Sequence, residues 1–175
     1  MTTPSTMDDS EPGLDTHVLH ALESHGLNFT AFICDPDLAD TAVFCEHYGF
    51  ELEQSANTII ITSRKVDPVQ YAVFVVLATT RLDVNKKVCE LMGIKRASFA
   101  DGEATIKLTG MMIGGVTAIG ITDLPIYVDS RVLAQPEVVM GGGNRSSKVL
   151  LNPSELTKLP NVQVVDGLAQ PKPEH

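Results

Sequence analysis

The segment Thr109-Gly110-Met111-Met112-Ile113-Gly114-Gly115-Val116-Thr117-Ala118-Ile119-Gly120 constrains this chain more than any other. Its glycines disfavour a helix interior or a central strand. Met111, Met112, Ile113, Val116 and Ile119 are too apolar for an ordinary surface loop and call for burial. A loop that is both flexible and apolar folds into the protein and can turn backbone N–H groups toward a cavity. Gly114 and Gly115 carry no side chain to keep a ligand from those groups. The plainer alternative is a buried turn joining a helix to a strand, and the segment alone does not separate the two.

The rest of the chain supplies short elements of both kinds. Leu14, Val18, Ala21 and Leu22 recur at helical spacing, with Asp15 or Thr16 as cap and Gly26 as stop. Residues 29–33 read as a strand, and 38–48 as a helix closed by Gly49. Residues 56–62 and 71–78 are apolar, β-branched runs, hence buried strands joined by a hairpin loop at Asp67-Pro68. Asp83 caps a helix ending at Gly93, 97–100 is a short strand, and 101–108 is a helix leading into the glycine segment. Beyond it, 126–128, 138–140, 148–151 and 162–165 read as strands. Asp129 caps one short helical turn and Asn152 another, with Pro153 at its first position. This mixture predicts one α+β domain around a mixed, curved β-sheet with helices packed outside. Residues 1–12 read as a disordered acidic leader, 13–168 as the folded domain and 169–175 as a polar tail.

Charge narrows the partners. No Lys or Arg precedes Arg64, whereas that stretch carries eleven of the 22 acidic residues. The remainder holds all thirteen basic residues, so it is slightly positive. A net charge of −9 argues against non-specific nucleic-acid binding by the whole molecule, and no DNA partner is expected. A local basic face remains available from Arg64, Lys65, Arg81, Lys86, Lys87, Lys95, Arg96, Arg145 and Lys148, although most such residues are solvated surface charges. No apolar run is long enough to span a membrane, and Cys34, Cys45 and Cys89 form neither a CxxC pair nor an even set. Free thiols in a reducing cytoplasm are the simplest expectation. His17 and His20 are helical neighbours, but two histidines make neither a closed nor a catalytic zinc site, so no metal and no cofactor is expected. Neither a Walker loop, a GxGxxG following a strand nor a GxSxG elbow is present.

The glycine segment is followed by Leu124-Pro125-Ile126-Tyr127-Val128-Asp129 and then Gly141-Gly142-Gly143-Asn144-Arg145. In this order the three resemble the YbaK/EbsC family, which includes free-standing aminoacyl-tRNA editing domains and the editing domain of some prolyl-tRNA synthetases. The family's loop reads approximately Gly-Gly-hydrophobic-Ser-Pro-hydrophobic-Gly; here it is Gly114-Gly115-Val116-Thr117-Ala118-Ile119-Gly120. The resemblance runs from the first helix to the strand ending near Val165. It implies a partly closed mixed barrel with helices outside.

It also implies a trans-editing deacylase that hydrolyses the ester of a mischarged small amino acid on tRNA. Its partners would be the aminoacyl-tRNA acceptor end and an aminoacyl-tRNA synthetase. Such an ester is already activated, so positioning, an oxyanion donor and a water suffice. The resemblance places Asn57, Gly114, Gly115 and Thr117 at the catalytic centre. Val116, Ala118, Gly141, Gly142 and Asn144 would form the substrate-binding walls. Two positions depart from the family pattern. Asn57 stands where the family carries lysine, and an amide donates hydrogen bonds but brings no charge. Ala118 stands where the loop has proline, which frees a backbone angle. A module that kept the pocket to bind an aminoacyl-nucleotide, a tRNA end or a protein partner, with weakened catalysis, is therefore the alternative. An esterase or amidase of small molecules is a third.

Overall fold

The computed structural model describes residues 13–172. Asp15 accepts a hydrogen bond from the His17 amide and starts α1 (Thr16–Ser24), which buries Val18, Ala21 and Leu22. Strand β1 (Thr30–Ile33) leads through a 3-10 turn (Pro36–Leu38) to α2 (Thr41–Tyr48). The sequence reading starts this helix at Leu38; Asp40, in extended backbone, delays its start to Thr41. Gly49, at φ +80°, ends α2 in the left-handed conformation that favours glycine.

Strands β2 (Ala56–Ser63) and β3 (Tyr71–Leu77) pair antiparallel along their length. β4 (Thr80–Leu82) follows, then a π-helical turn (Val84–Val88) running into α3 (Cys89–Met92). β5 (Ala97–Phe99) returns to the edge of β2, and α4 (Gly102–Thr109) ends at Gly110. After the glycine segment come β6 (Ile126–Asp129), α5 (Ser130–Leu133), β7 (Val138–Gly141), β8 (Ser147–Leu151), β9 (Val162–Val165) and β10 (Ala169–Pro171). Asn152 caps a 3-10 helix (Pro153–Lys158) before β9 by accepting from the Ser154 amide. The side chain of Asp129 makes no such cap at α5, although it stands at the right position.

The main sheet has the order β5-β2-β3-β6-β9, antiparallel between the first three and parallel from β3 onward. β1-β8-β7 form a separate antiparallel sheet, and β10 pairs with β4. The mixed α+β architecture is as expected, but the barrel is not formed. Ser55, just before β2, and Val139 of β7 make one isolated parallel bridge between the two larger sheets. A short 3-10 turn (Leu52–Gln54) precedes that point, so the chain enters β2 there and the ladder goes no further. The expected polar tail 169–175 begins as a strand, with Leu168 and Ala169 fully buried; residues 173–175, and the leader at 1–12, lie outside the described residues.

β3 explains why one sheet supports two cores. Val73, Val75 and Leu77 face a cluster shared with α1, the glycine segment, β7 and β8. Ala72, Phe74 and Val76 face a second cluster with Ile61, Leu82, Val88 and Leu168. A strand buried on both faces reads as an uninterrupted apolar run, and this one does. A third cluster surrounds Phe44, with Phe32, Tyr48 and Phe50 at ring-centroid distances of 4.9–5.6 Å from it. Aromatic contacts of this kind add to area burial and hold α2 in place beside the corner where the two sheets meet.

Candidate active site

At that corner lies a cavity of about 300 Å³. The start of β2 gives it Ser55, Asn57 and Thr58; the end of β7 gives Met140 and Gly141; the glycine segment gives Gly114 and Val116. The N-terminus of α2 adds Asp40, Thr41 and Phe44, and β8 adds Lys148. Segments far apart in sequence thus converge on one concavity, with Asn57 in its wall.

The glycine segment is held by its neighbours. The Gly115 amide closes a turn onto the Met112 carbonyl at 2.9 Å, and the Ala118 amide donates to Thr58 Oγ1 at 3.0 Å. The Thr117 amide reaches Met111 Sδ at 3.4 Å. Across the gap, the Gly143 amide donates to the Gly115 carbonyl at 2.7 Å and the Met112 amide to the Gly143 carbonyl at 3.1 Å. Of the five amides from Gly114 to Ala118, those of Gly114 and Val116 have no acceptor among the described residues. Both residues line the cavity. They are the cavity-lining residues of the segment whose amides are free to donate to an acceptor placed there.

The two glycine runs pack against each other with no space for side chains. A Cβ on Gly115 would lie 2.0 Å from the Asn144 carbonyl oxygen. One on Gly141 would lie 2.5 Å from the Gly115 carbonyl oxygen, and one on Gly142 would meet Ser147 Oγ at 2.2 Å. Gly115 and Gly142 therefore face neighbouring chain, and neither is in the cavity wall. Thr117 is fully buried, its hydroxyl unpartnered among the described residues, and Ala118 is buried as well. Asn144 is turned inward. Its amide nitrogen donates to the Gly13 carbonyl at 2.8 Å, and its Oδ1 accepts from Ser146 and Ser147. Of the nine positions drawn from the sequence, Asn57, Gly114, Val116 and Gly141 line the cavity; Gly115, Thr117, Ala118, Gly142 and Asn144 stand behind it.

Asn57 is fixed by its oxygen. Thr41 Oγ1 and Ser55 Oγ donate to Oδ1 at 3.0 and 3.4 Å, which leaves the amide nitrogen with no partner among the described residues. Lys148 is the residue that the sequence reading left among the surface cations. It is only 7% exposed. Its Nζ donates to the Ala39 carbonyl at 2.7 Å and the Gly114 carbonyl at 3.4 Å, and sits 5.2 Å from the centre of the Phe44 ring. Burial pushes its pKa below the ordinary lysine value; the fields of Cys34, Asp40 and Cys45 oppose this and that of Arg145 adds to it. Burial likewise raises the thiols of Cys34 and Cys45, against the field of Lys148. The one hint in the sequence is position: Lys148 interrupts a short strand that is otherwise apolar from Val149 to Leu151.

Arg145 closes the rim. Its Nε donates to the Pro36 carbonyl at 3.0 Å, and its Nη1 to Asp40 Oδ1 at 3.1 Å and the Ile113 carbonyl at 3.2 Å. It ties the approach to α2 to the glycine segment, and it occupies the charge of Asp40. His17, the first of the helical pair, lies on the surface beside Asp15, and no cluster of three or more metal-ligating side chains occurs among the described residues. Among the described residues no helix is long and apolar enough to cross a membrane.

Comparison with known proteins gives the family and the fold. Residues 35–159 match the profile of the aminoacyl-tRNA editing domain family. Among solved structures, a protein described as a candidate trans-editing enzyme for prolyl-tRNA synthetase is 27% identical at a TM-score of 0.75. That match covers 98% of this chain and 100% of the other. A scaffold protein used in computational epitope grafting is 28% identical at 0.75, over 90% and 97% of the two chains. A hypothetical protein of 22% identity shares the fold at 0.78, over 88% and 99%.

Proposed function

We propose that this chain, which belongs to the aminoacyl-tRNA editing domain family, hydrolyses the ester between a mischarged small amino acid and the terminal ribose of tRNA, acting in trans. The observation that carries the reading is the pair of unpartnered amides, Gly114 and Val116, in the wall of a cavity that also holds Asn57 and Lys148. Attack of water on the ester carbonyl forms a new C–O bond and puts negative charge on the carbonyl oxygen. Collapse breaks the bond to the ribose oxygen, which takes the proton that water gave up. Fixed N–H donors stabilise the intermediate charge without reorganising, typically by several kcal/mol when two act together. The ester is activated, so no side-chain nucleophile is required, and the substrate's own ribose hydroxyl or amino group assists the water. A cavity of about 300 Å³ favours a small aminoacyl group. Asn57 and Gly141, which both line the cavity, hold that group. The partner is the acceptor end of tRNA, reached in the cytoplasm alongside a synthetase that makes the error.

Incubation with a panel of charged tRNAs is the test. At least one tRNA bearing a small amino acid is expected to lose it at a rate far above spontaneous hydrolysis, while bulky aminoacyl groups survive. Binding of charged tRNA with no acceleration for any member points instead to a module that recognises the end without cleaving it. Equal cleavage of simple amino-acid esters without tRNA points to a general esterase.

A further inference from the structure

Lys148 presents a problem that the reaction as described does not solve. A buried cation is unfavourable unless a charge answers it. Its two partners are neutral carbonyls, Ala39 and Gly114. Among the described residues no carboxylate lies within ion-pair distance of Nζ, and the carboxylate at the rim, Asp40, is engaged by Arg145. An ammonium has three N–H donors, of which the protein uses two. The unpartnered groups beside it are donors as well: the amide of Asn57 and the backbone amides of Gly114 and Val116. A cavity that offers a cation and spare donors is complementary to a ligand rich in acceptors and negatively charged.

We infer that Lys148 is the anion-binding residue of this cavity, and that it takes an anionic oxygen of the ligand's terminal nucleotide or aminoacyl group. The charge enters from β8 into the cavity that Asn57 also lines, so that an uncharged residue at position 57 leaves the cavity with its cation. This deepens the editing reading and rests on it for the identity of the ligand. A charge-assisted contact of this kind corresponds to about 10- to 100-fold in affinity.

Isothermal titration of the wild-type protein and of Lys148→Met decides it. AMP and adenosine differ by a phosphate; amide-linked aspartyl-adenosine and alanyl-adenosine differ by a carboxylate. Wild type is expected to prefer the anionic member of at least one pair by about 10- to 100-fold, and Lys148→Met to lose that preference while binding the neutral member as before. Preference for AMP identifies phosphate as the source, and preference for the aspartyl compound identifies a side-chain carboxylate. Removing the buried ammonium while keeping an apolar stem is expected to leave the melting temperature equal or higher. Lys148→Gln gives the same comparison should the methionine variant fail to fold. A wild-type protein indifferent to both anions, or a preference that survives in both variants, overturns the assignment. If the preference depends on Lys148 but no charged tRNA is cleaved, the anion site stands and the editing reading falls.

Discussion

Gly115→Ala is expected to destabilise the protein by on the order of 3–5 kcal/mol, through repulsion between the two glycine runs and loss of the bonds that join them. Its added Cβ would meet backbone, not a side chain that can move: Asn144 O at 2.0 Å, C at 2.4 Å and N at 2.7 Å. Relief requires the two runs to separate. That breaks the hydrogen bonds Gly143 to Gly115 and Met112 to Gly143, at 2.7 and 3.1 Å. Two such bonds contribute about 1 kcal/mol each, and overpacking against a rigid neighbour adds about 1–3 kcal/mol. Against a total stability of about 5–15 kcal/mol this is a large fraction. Urea unfolding should show a lower midpoint with an unchanged slope. Gly102→Ala is the control, because its Cβ would meet only the Ile113 side chain at 3.9 Å or more, and its midpoint should hold or rise. A Gly115→Ala protein with the wild-type midpoint and no ligand binding would restore the other reading, in which the glycine is kept bare for a substrate.

Asn57→Lys, which restores the lysine of the family pattern, is expected to destabilise this protein. Asn57 and Lys148 line the same cavity, so a second ammonium would share it with Lys148, at a separation taken as ~8 Å. At an effective dielectric constant of ~20 the repulsion is about 2 kcal/mol, and the acceptor for Thr41 and Ser55 disappears as well. The double variant Asn57→Lys/Lys148→Met keeps one cation in the cavity and should recover most of the lost stability, a coupling of about 2 kcal/mol in a double-mutant cycle. Additive losses in the double variant would mean that the two positions do not share a cavity electrostatically. The comparison needs no substrate, so it tests the placement of charge independently of the reaction.

Much of this arrangement was readable from residue patterns, and the failures have physical causes. β3 was legible because burial on both faces leaves an unbroken run from Tyr71 to Leu77. The glycine segment announced itself by pairing backbone freedom with apolar side chains, but of the five expected to be buried only Met111 and Ile119 are; Val116 is half-buried and Met112 and Ile113 are exposed. What its glycines face was not legible, since the contact with Asn144 is made by a segment remote in sequence. Asn144 itself has the composition of a pocket residue, but its side chain organises the turn at Ser146 and Ser147. β4 and β10 escaped because three residues carry no periodicity, and each strand exists through its pairing with the other. The barrel was carried in by family likeness, and only coordinates distinguish a closed ladder from a single bridge at Ser55 and Val139. Lys148 was missed for the most general reason. A lysine in a chain is read as solvated, and its burial here follows from Phe44 and the carbonyls of Ala39 and Gly114, which tertiary packing brings to it.

In the proposed reaction the cavity between β2, β7 and the glycine segment receives the aminoacyl end of tRNA. A crystal structure of the wild-type protein with amide-linked alanyl-adenosine, which mimics that end and resists hydrolysis, tests it most directly. The aminoacyl carbonyl oxygen is expected within hydrogen-bonding distance of the Gly114 or Val116 amide, with Asn57 and Lys148 lining the bound molecule. The analogue seated elsewhere, for instance in the groove lined by Arg81, Asn85 and Phe99, with the Gly114 and Val116 amides untouched, would contradict it.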